Sequence, residues 1–286
     1  MTFIDILIKP NKEIVLKKFL GDFHLNMVID YPENYKKVCF LDLETTGLNL
    51  LEDKIIEIAL KLAVIDCDNG ELLGVLDEYQ SFNDPLELID EKVTKINSIT
   101  NDMVKGHSIN WVEVNRIVFE SDIIIAHNAG FDRSFMDRYF PLSMEKLWAC
   151  SVNDIDWLTR GFNSSKQELL CYWHGFYFDA HRAMNDVDAL IHLLTHNSYK
   201  TDKPILELIK NSQKPIYKVS ALNSAFETKD KLKANGYFWN NEEKYWWKNI
   251  EFEEVENEQQ WLTENIYDGY FAGAIEEVSL LDRYKI

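Results

Sequence analysis

With 286 residues, 46% of them hydrophobic and 27% charged, the chain exceeds one typical domain and can bury a sizeable core. No apolar run approaches a membrane span, Pro10 and charges interrupt the N-terminal MTFIDILIKPNKEIVLKKFL, and Cys39, Cys67, Cys150 and Cys171 lack paired short spacings; anchor, signal and disulfide framework are all disfavoured, and a reduced cytoplasmic protein is expected. The net charge of −18 argues against a protein that tracks long nucleic acid through a basic surface, because phosphate contacts dominate such binding.

In chain order, residues 1–35 read as a helix-bearing extension ending at Tyr31-Pro32. Strands are predicted over 38–43, 55–65 and 72–79, the middle one, KIIEIALKLAVID, showing alternation. Helices follow over 90–97, 109–120, 131–139, 166–174 and 183–196, with strands over 123–127 and 146–150. Residues 36–200 thus form an α/β unit, a mixed sheet flanked by helices. Residues 201–213 read as a short helix and connector between two prolines, and 214–286 as a small α+β module.

Three stretches of the α/β unit carry chemistry. Val38 to Leu43 is an apolar run that reads as a buried strand, so Asp42 and Glu44, two apart, project from one side of its C-terminal end before Thr45-Thr46-Gly47 breaks it. Such a pair is either a surface strand end or a poorly solvated, mutually repulsive couple that needs a cation between its members. The second stretch repeats the arrangement: Asp122 to Ala126 as strand, His127-Asn128-Ala129-Gly130 as turn, and Asp132 at a helix start, where an acid also suits the positive helix end. In the third, His181 precedes a helix whose core face is Val187, Leu190, Ile191 and Leu194; Asp186 lies in its first turns and Asp188 faces elsewhere.

Taken together, Asp42, Glu44, Asp132, His181 and Asp186 resemble the motifs of the DnaQ-like 3′–5′ exonucleases of RNase H-like fold, specifically the DEDDh group. The resemblance runs from about Val38 to about His196 and includes the segment ELIDEKVTKINSITNDMVKGHSI. It implies that Asp42, Glu44, Asp132 and Asp186 bind two Mg²⁺ or Mn²⁺ ions and that His181 is the general base, His-x4-Asp marking the histidine branch. The chemistry agrees: two divalent cations roughly 3.5–4 Å apart stabilise the attacking and leaving oxygens of an in-line phosphoryl displacement. Carboxylates are the hard ligands such ions prefer, and an imidazole suits proton removal at neutral pH. The expected activity is release of nucleoside 5′-monophosphates from single-stranded or frayed 3′ ends, with DNA favoured over RNA. The alternatives are an exoribonuclease trimming RNA ends and a non-catalytic nucleic-acid-binding protein, against which the intact quintet argues.

The resemblance also points to Thr45 and Thr46 as contacts to the terminal nucleotide. Leu48 and Phe131 either pack on terminal bases, since stacking is indifferent to base identity, or belong to the core. His127 and Asn128 are expected to orient the Asp132 turn. His174, near Cys171, has no second pair at ligand spacing and reads as a capped helix end.

From Lys214 to Asn249 seven Lys stand against four acids, whereas from Glu251 to Ile286 ten acids stand against Arg283 and Lys285. The first half reads as strand, helix ending at Asn235-Gly236, and hairpin turned at Asn240-Asn241. It resembles a small module found in DNA-processing proteins; DNA repair, RNA maturation and mobile-element maintenance all remain available as pathways. Tyr237, Trp239, Tyr245, Trp246 and Trp247 interleaved with lysines, Lys248 among them, suggest a stacking platform for single strands. Since a strand alternates, Trp246 and Trp247 cannot both face inward. The acidic half is expected to be a solvated face, a site for a protein partner, or a tail competing with nucleic acid. A homodimer is common among related nucleases.

Overall fold

A computed structural model of the chain describes residues 14–21, 23 and 31–285. They divide into two compact units, one reaching Ser212 and including Tyr284 and Lys285, the other Gln213–Arg283. The helix expected in the N-terminal extension falls largely outside the described residues. Within them, Lys17–Lys18 (β1) is extended and pairs in parallel with Phe176–Tyr177 (β7).

The first unit is built on β2 (Tyr35–Thr45), β3 (Ile55–Asp66), β4 (Leu72–Phe82), β5 (Ile123–Ala126) and β6 (Leu147–Cys150), in the order β4-β3-β2-β5-β6. β2, β3 and β4 run antiparallel, while β5 and β6 add in parallel to β2. Helices α1 (Glu91–Asn97), α2 (Asn101–Val104) and α3 (Trp111–Glu120) separate β4 from β5. α4 (Ala129–Tyr139) follows β5, and α5 (Gln167–Trp173), α6 (Ala183–Leu194) and α7 (Pro204–Asn211) follow β6. This is the expected mixed sheet flanked by helices. Side-chain caps hold several helix starts: Asp90 accepts from the Lys92 amide, Thr100 from Met103 and Asn110 from Val112.

Both faces of the sheet are covered. Val38, Phe40, Ala59 and Ala63 pack with Val187, Leu190 and Ile191 of α6, and Leu41, Leu43, Ile58 and Leu60 with Val114 and Ile117 of α3 and Phe135 and Met136 of α4. β3 is therefore buried along nearly its whole length, on both phases of its alternation. The polar phase of that alternation, Glu57 and Lys61, is neutralised inside the protein. Lys61 Nζ lies 2.5 Å from Asp188 Oδ1 and 3.2 Å from Glu78, and Glu57 meets Arg182. Removal of a strand's polar side chains from water requires such partners. The short helix expected within 201–213 is α7, which buries Ile205, Leu208 and Ile209 in the first unit's core, because its apolar stripe needs a surface to cover it.

The second unit is an antiparallel sheet of β8 (Ile216–Ala221), β9 (Phe238–Asn240), β10 (Tyr245–Glu251) and β11 (Ala274–Val278), ordered β11-β8-β10-β9, with helices α8 (Lys229–Ala234) and α9 (Val255–Asn265). Gly236 at φ 82° ends α8 as expected. The hairpin turn occupies 241–244, with the Asn240 side chain accepting from the Glu242 and Glu243 amides. The acidic half is not a detached tail: β11 completes the sheet and Leu262 of α9 and Ile266 enter the core with Val219, Ala221, Leu232, Tyr237 and Ile250. Its charges are the outer faces of amphipathic elements. Among the described residues no helix is long and apolar enough to cross a membrane, and all four cysteines are free thiols.

Candidate active site

The even-numbered side chains of β2 face α6, so Val38 and Phe40 enter that core while Asp42 and Glu44, further along, reach the strand end. Asp186, in the first turn of α6, comes up to them from the side, its Oδ2 accepting from the Arg182 amide at 3.1 Å. Carboxylate oxygens of Asp42, Glu44 and Asp186 lie within 4.8 Å of one another. Asp132, in the first turn of α4, is buried beside this trio without joining it at that distance; its Oδ1 accepts from the Leu43 amide at 3.1 Å. Three separated stretches thus deliver four carboxylates to one strand end.

Burial and mutual repulsion push these acids toward protonation. Asp42 is held well above the usual carboxylate range, first by burial and then by Asp186, Asp132, Glu44 and Glu57. Asp132 is raised well above it for the same leading reason, and Asp186 is pushed up to about 7. Glu44 is raised by burial, partly offset by the Asn97 amide, whose Nδ2 donates to Oε2 at 3.1 Å, and by His181. Lys61 and Arg182, the cations on this side of β3, are committed to Asp188 and Glu57. An all-oxygen donor set with excess negative charge fits a hard divalent cation such as Mg²⁺ or Mn²⁺.

Residues 39–194, more than half of the chain, match the RNase_T family, whose description is Exonuclease. The chain belongs to this exonuclease family, that of the DnaQ-like 3′–5′ enzymes with RNase H-like fold. It is 32% identical over 162 residues to a PolC-type DNA polymerase III of Listeria monocytogenes, covering 54% of this chain and 11% of that one. To the corresponding protein of Pediococcus pentosaceus it is 36% identical over 115 residues, covering 39% and 7%. It therefore spans only about a tenth of these relatives' length. Among solved structures, an exonuclease X in complex with 5′ overhanging duplex DNA superposes with a TM-score of 0.42 at 21% identity, covering 59% of this chain and 99% of that one. An E. coli exonuclease I–single-stranded DNA complex gives 0.48 at 18%, covering 65% and 48%.

In the exonuclease domain His181 is exposed, at φ 64°, on the loop that opens α6. That left-handed conformation is uncommon for a non-glycine residue. Its neighbour holds it: Arg182 makes two hydrogen bonds to Glu57, Nη2 to Oε1 at 2.9 Å and Nε to Oε2 at 3.1 Å, and the Ala183 amide donates to the same carboxylate at 3.1 Å. Glu57 is fully buried opposite Glu44 in the β2–β3 register and also accepts from Gln80. Sequence reading missed both Glu57 and Asn97; for Glu57 the available signal was a charge in a mostly apolar strand. Replacing Glu57 with Gln is expected to lower kcat about tenfold and to cost about 1–3 kcal/mol of stability, measured by single-turnover hydrolysis and urea unfolding. A variant unchanged in both would show that the clamp does not position the loop.

The remaining sequence candidates fall at different depths. Thr45 Oγ1 donates to the Gly47 carbonyl and Thr46 Oγ1 to Asp53, so both hydroxyls brace the turn after β2. A Cβ at Gly47 would meet the Asp53 carboxylate, so a side chain there would displace the group that accepts from Thr46. Leu48, 83% exposed, stands out from the same turn, whereas Phe131 is half-buried against Phe135. His127 is tied by Nδ1 to Ser151 Oγ at 2.7 Å, and burial pulls it down to about 4, so it is a neutral brace beside the α4 turn. Asn128 sits at the α4 N-cap position in the left-handed region, φ 69°. His174 caps α5, with Nδ1 on the Leu170 carbonyl and Nε2 on the Tyr199 hydroxyl.

In the second unit the structure does not bring Trp246, Trp247 and Lys248 to one face. Trp246 packs against the core under the helices, and Lys248 pairs with Glu258 at 2.5 Å. Trp247 points to the opposite side, beside Phe238 and Lys218.

Proposed function

We propose that this exonuclease domain removes nucleotides from the 3′ ends of single-stranded or frayed DNA, releasing nucleoside 5′-monophosphates with two Mg²⁺ or Mn²⁺ ions at the carboxylate cluster. The observation that carries the reading is the meeting of Asp42, Glu44 and Asp186 within 4.8 Å, backed by buried Asp132 and fronted by exposed His181. Divalent cations held by these four acids would supply charge stabilisation for the attacking and leaving oxygens of the displacement. The chain's own residues do the rest. His181 accepts the proton of the attacking water, at a loop position from which its imidazole can reach solvent and substrate. Glu57 and Arg182 hold that loop, and Asn97 orients Glu44. Leu48, exposed on the turn after β2, is placed to wedge against the terminal base.

The preference for DNA rests on the relatives, which are DNA polymerases by name. The test is one digestion panel: end-labelled DNA and RNA of matched sequence, single-stranded and duplex, with Mn²⁺ and with chelator. Mononucleotides released from 3′ ends of single-stranded DNA, lost with chelator, are expected. Faster digestion of the RNA strands would make the enzyme an exoribonuclease, and hydrolysis that survives the chelator would remove the metal reading.

A further inference from the structure

The sheet of the second unit has an aromatic side without helices of its own unit. Both α8 and α9 contribute to a single core, through Leu232 and Leu262, with Val219, Ala221, Trp246 and Ile250 of the sheet. Strand alternation turns Lys218 and Ser220 of β8, Tyr245 and Trp247 of β10 and Phe238 of β9 to the other side. There the rings gather: Trp247 lies 5.9 Å from Phe238, which is 66% exposed, and Lys218 Nζ stands 5.4 Å over the Trp247 ring and 5.3 Å over Tyr245. Lys218 also donates to the Tyr245 hydroxyl at 2.9 Å, and among the described residues no carboxylate is ion-paired with it. Tyr245 and Trp247, two residues apart, repeat at about 7 Å along the strand.

We propose that this face binds single-stranded nucleic acid, bases stacking on Trp247, Phe238 and Tyr245 and a phosphate meeting Lys218. The ligand follows from the chemistry. Flat π-faces and a cation held between them suit bases joined by phosphates, and four-stranded sheets with surface aromatics bind two or three bases in this way. Asn249, exposed across from Lys218, sets a hydrogen-bonding group beside the rings, unlike a dry protein-docking patch. Glu276, opposite Lys218 on β11, repels phosphate and confines the strand to the β8–β10–β9 part of the sheet. Lys218 and Phe238 belong to this site and were not apparent from the sequence, where the paired Lys248 and core-facing Trp246 stood in their place. The inference deepens the proposed function by giving the strand a second hold, in a chain whose charge of −18 offers little non-specific attraction.

The test is fluorescence anisotropy of a labelled oligodeoxythymidylate with the full chain, in an Asp42→Asn background that keeps the strand intact. Trp247→Ala is expected to weaken binding about tenfold. Lys218→Gln should weaken it and lower the slope of log K against log salt by about 0.7. Tyr270→Ala, 81% exposed elsewhere in the unit, should bind as the background does. Trp247→Ala and Phe238→Ala both binding like the background would overturn the proposal. Should Trp247→Ala unfold, shown by its thermal melt, Phe238→Ser on the edge strand decides alone. The two readings fail separately: wild type that digests DNA with no loss of binding in these variants sinks only the platform. Trp247-dependent binding without digestion by wild type sinks only the exonuclease activity.

Discussion

Asp42→Asn is expected to abolish nucleotide release, by roughly a thousandfold or more, while making the metal-free protein more stable. The first effect follows from cation-borne charge stabilisation worth several kcal/mol, each 1.36 kcal/mol being tenfold in rate. The second has the opposite sign from most buried substitutions. Asp42 is raised well above the usual range by burial and by four neighbouring acids, so its ionised form is a repulsive burden that the amide lacks. Single-turnover digestion and thermal unfolding in chelator read the two effects on one preparation. A variant that digests at the wild-type rate would remove the catalytic assignment, and one that melts lower in chelator would show that the carboxylate is not under repulsive strain.

The same electrostatics make stability depend on pH and cation together. Asp186 is pushed up to about 7 and Asp42, Glu44 and Asp132 are also raised. Raised carboxylates mean that the native state holds protons the unfolded chain has already released, so stability falls as pH rises from about 4 through about 7. Without cation, the contribution of these groups is therefore largest in acid, and that of Asp186 is lost as pH rises through about 7. A divalent cation takes the place of those protons. Mn²⁺ should raise the melting temperature by several degrees at about pH 8 and by little at about pH 5, where protons compete with it. Thermal melts across pH, with Mn²⁺ or chelator, check this. A cation effect independent of pH would mean that the ion binds elsewhere.

The elements of the α/β unit and the stretches that bring Asp42, Glu44 and Asp186 together were legible in the sequence because both rest on local signals. Apolar runs such as Val38 to Leu43 and IIIA mark strands, and turn residues and helix periods mark the rest. Glu57 shows where local reading stops. In sequence it is one polar position of an alternating strand, whereas in the fold it is a buried clamp for the His181 loop, a role assigned by Arg182 from a distant segment. Lys61 and Asp188 became an internal pair for the same reason. In the second unit, alternation predicted that Trp246 and Trp247 would part. Which of them joined the core depended on where α8 and α9 lay, and α9 comes from the acidic segment that looked like a tail.

The sequence by itself determined the α/β order of elements, the exonuclease class and which five residues are candidates for its site, because spacing along one strand or helix sets which side chains can act together. Only the tertiary structure decided that Asp132 stands beside the carboxylate trio while bonded to β2, that Glu57 and Asn97 serve the site, and that Lys218 with Phe238 flanks Trp247. Those relations join residues far apart in the chain, and their energies come from burial and pairing that exist only once the sheets have closed.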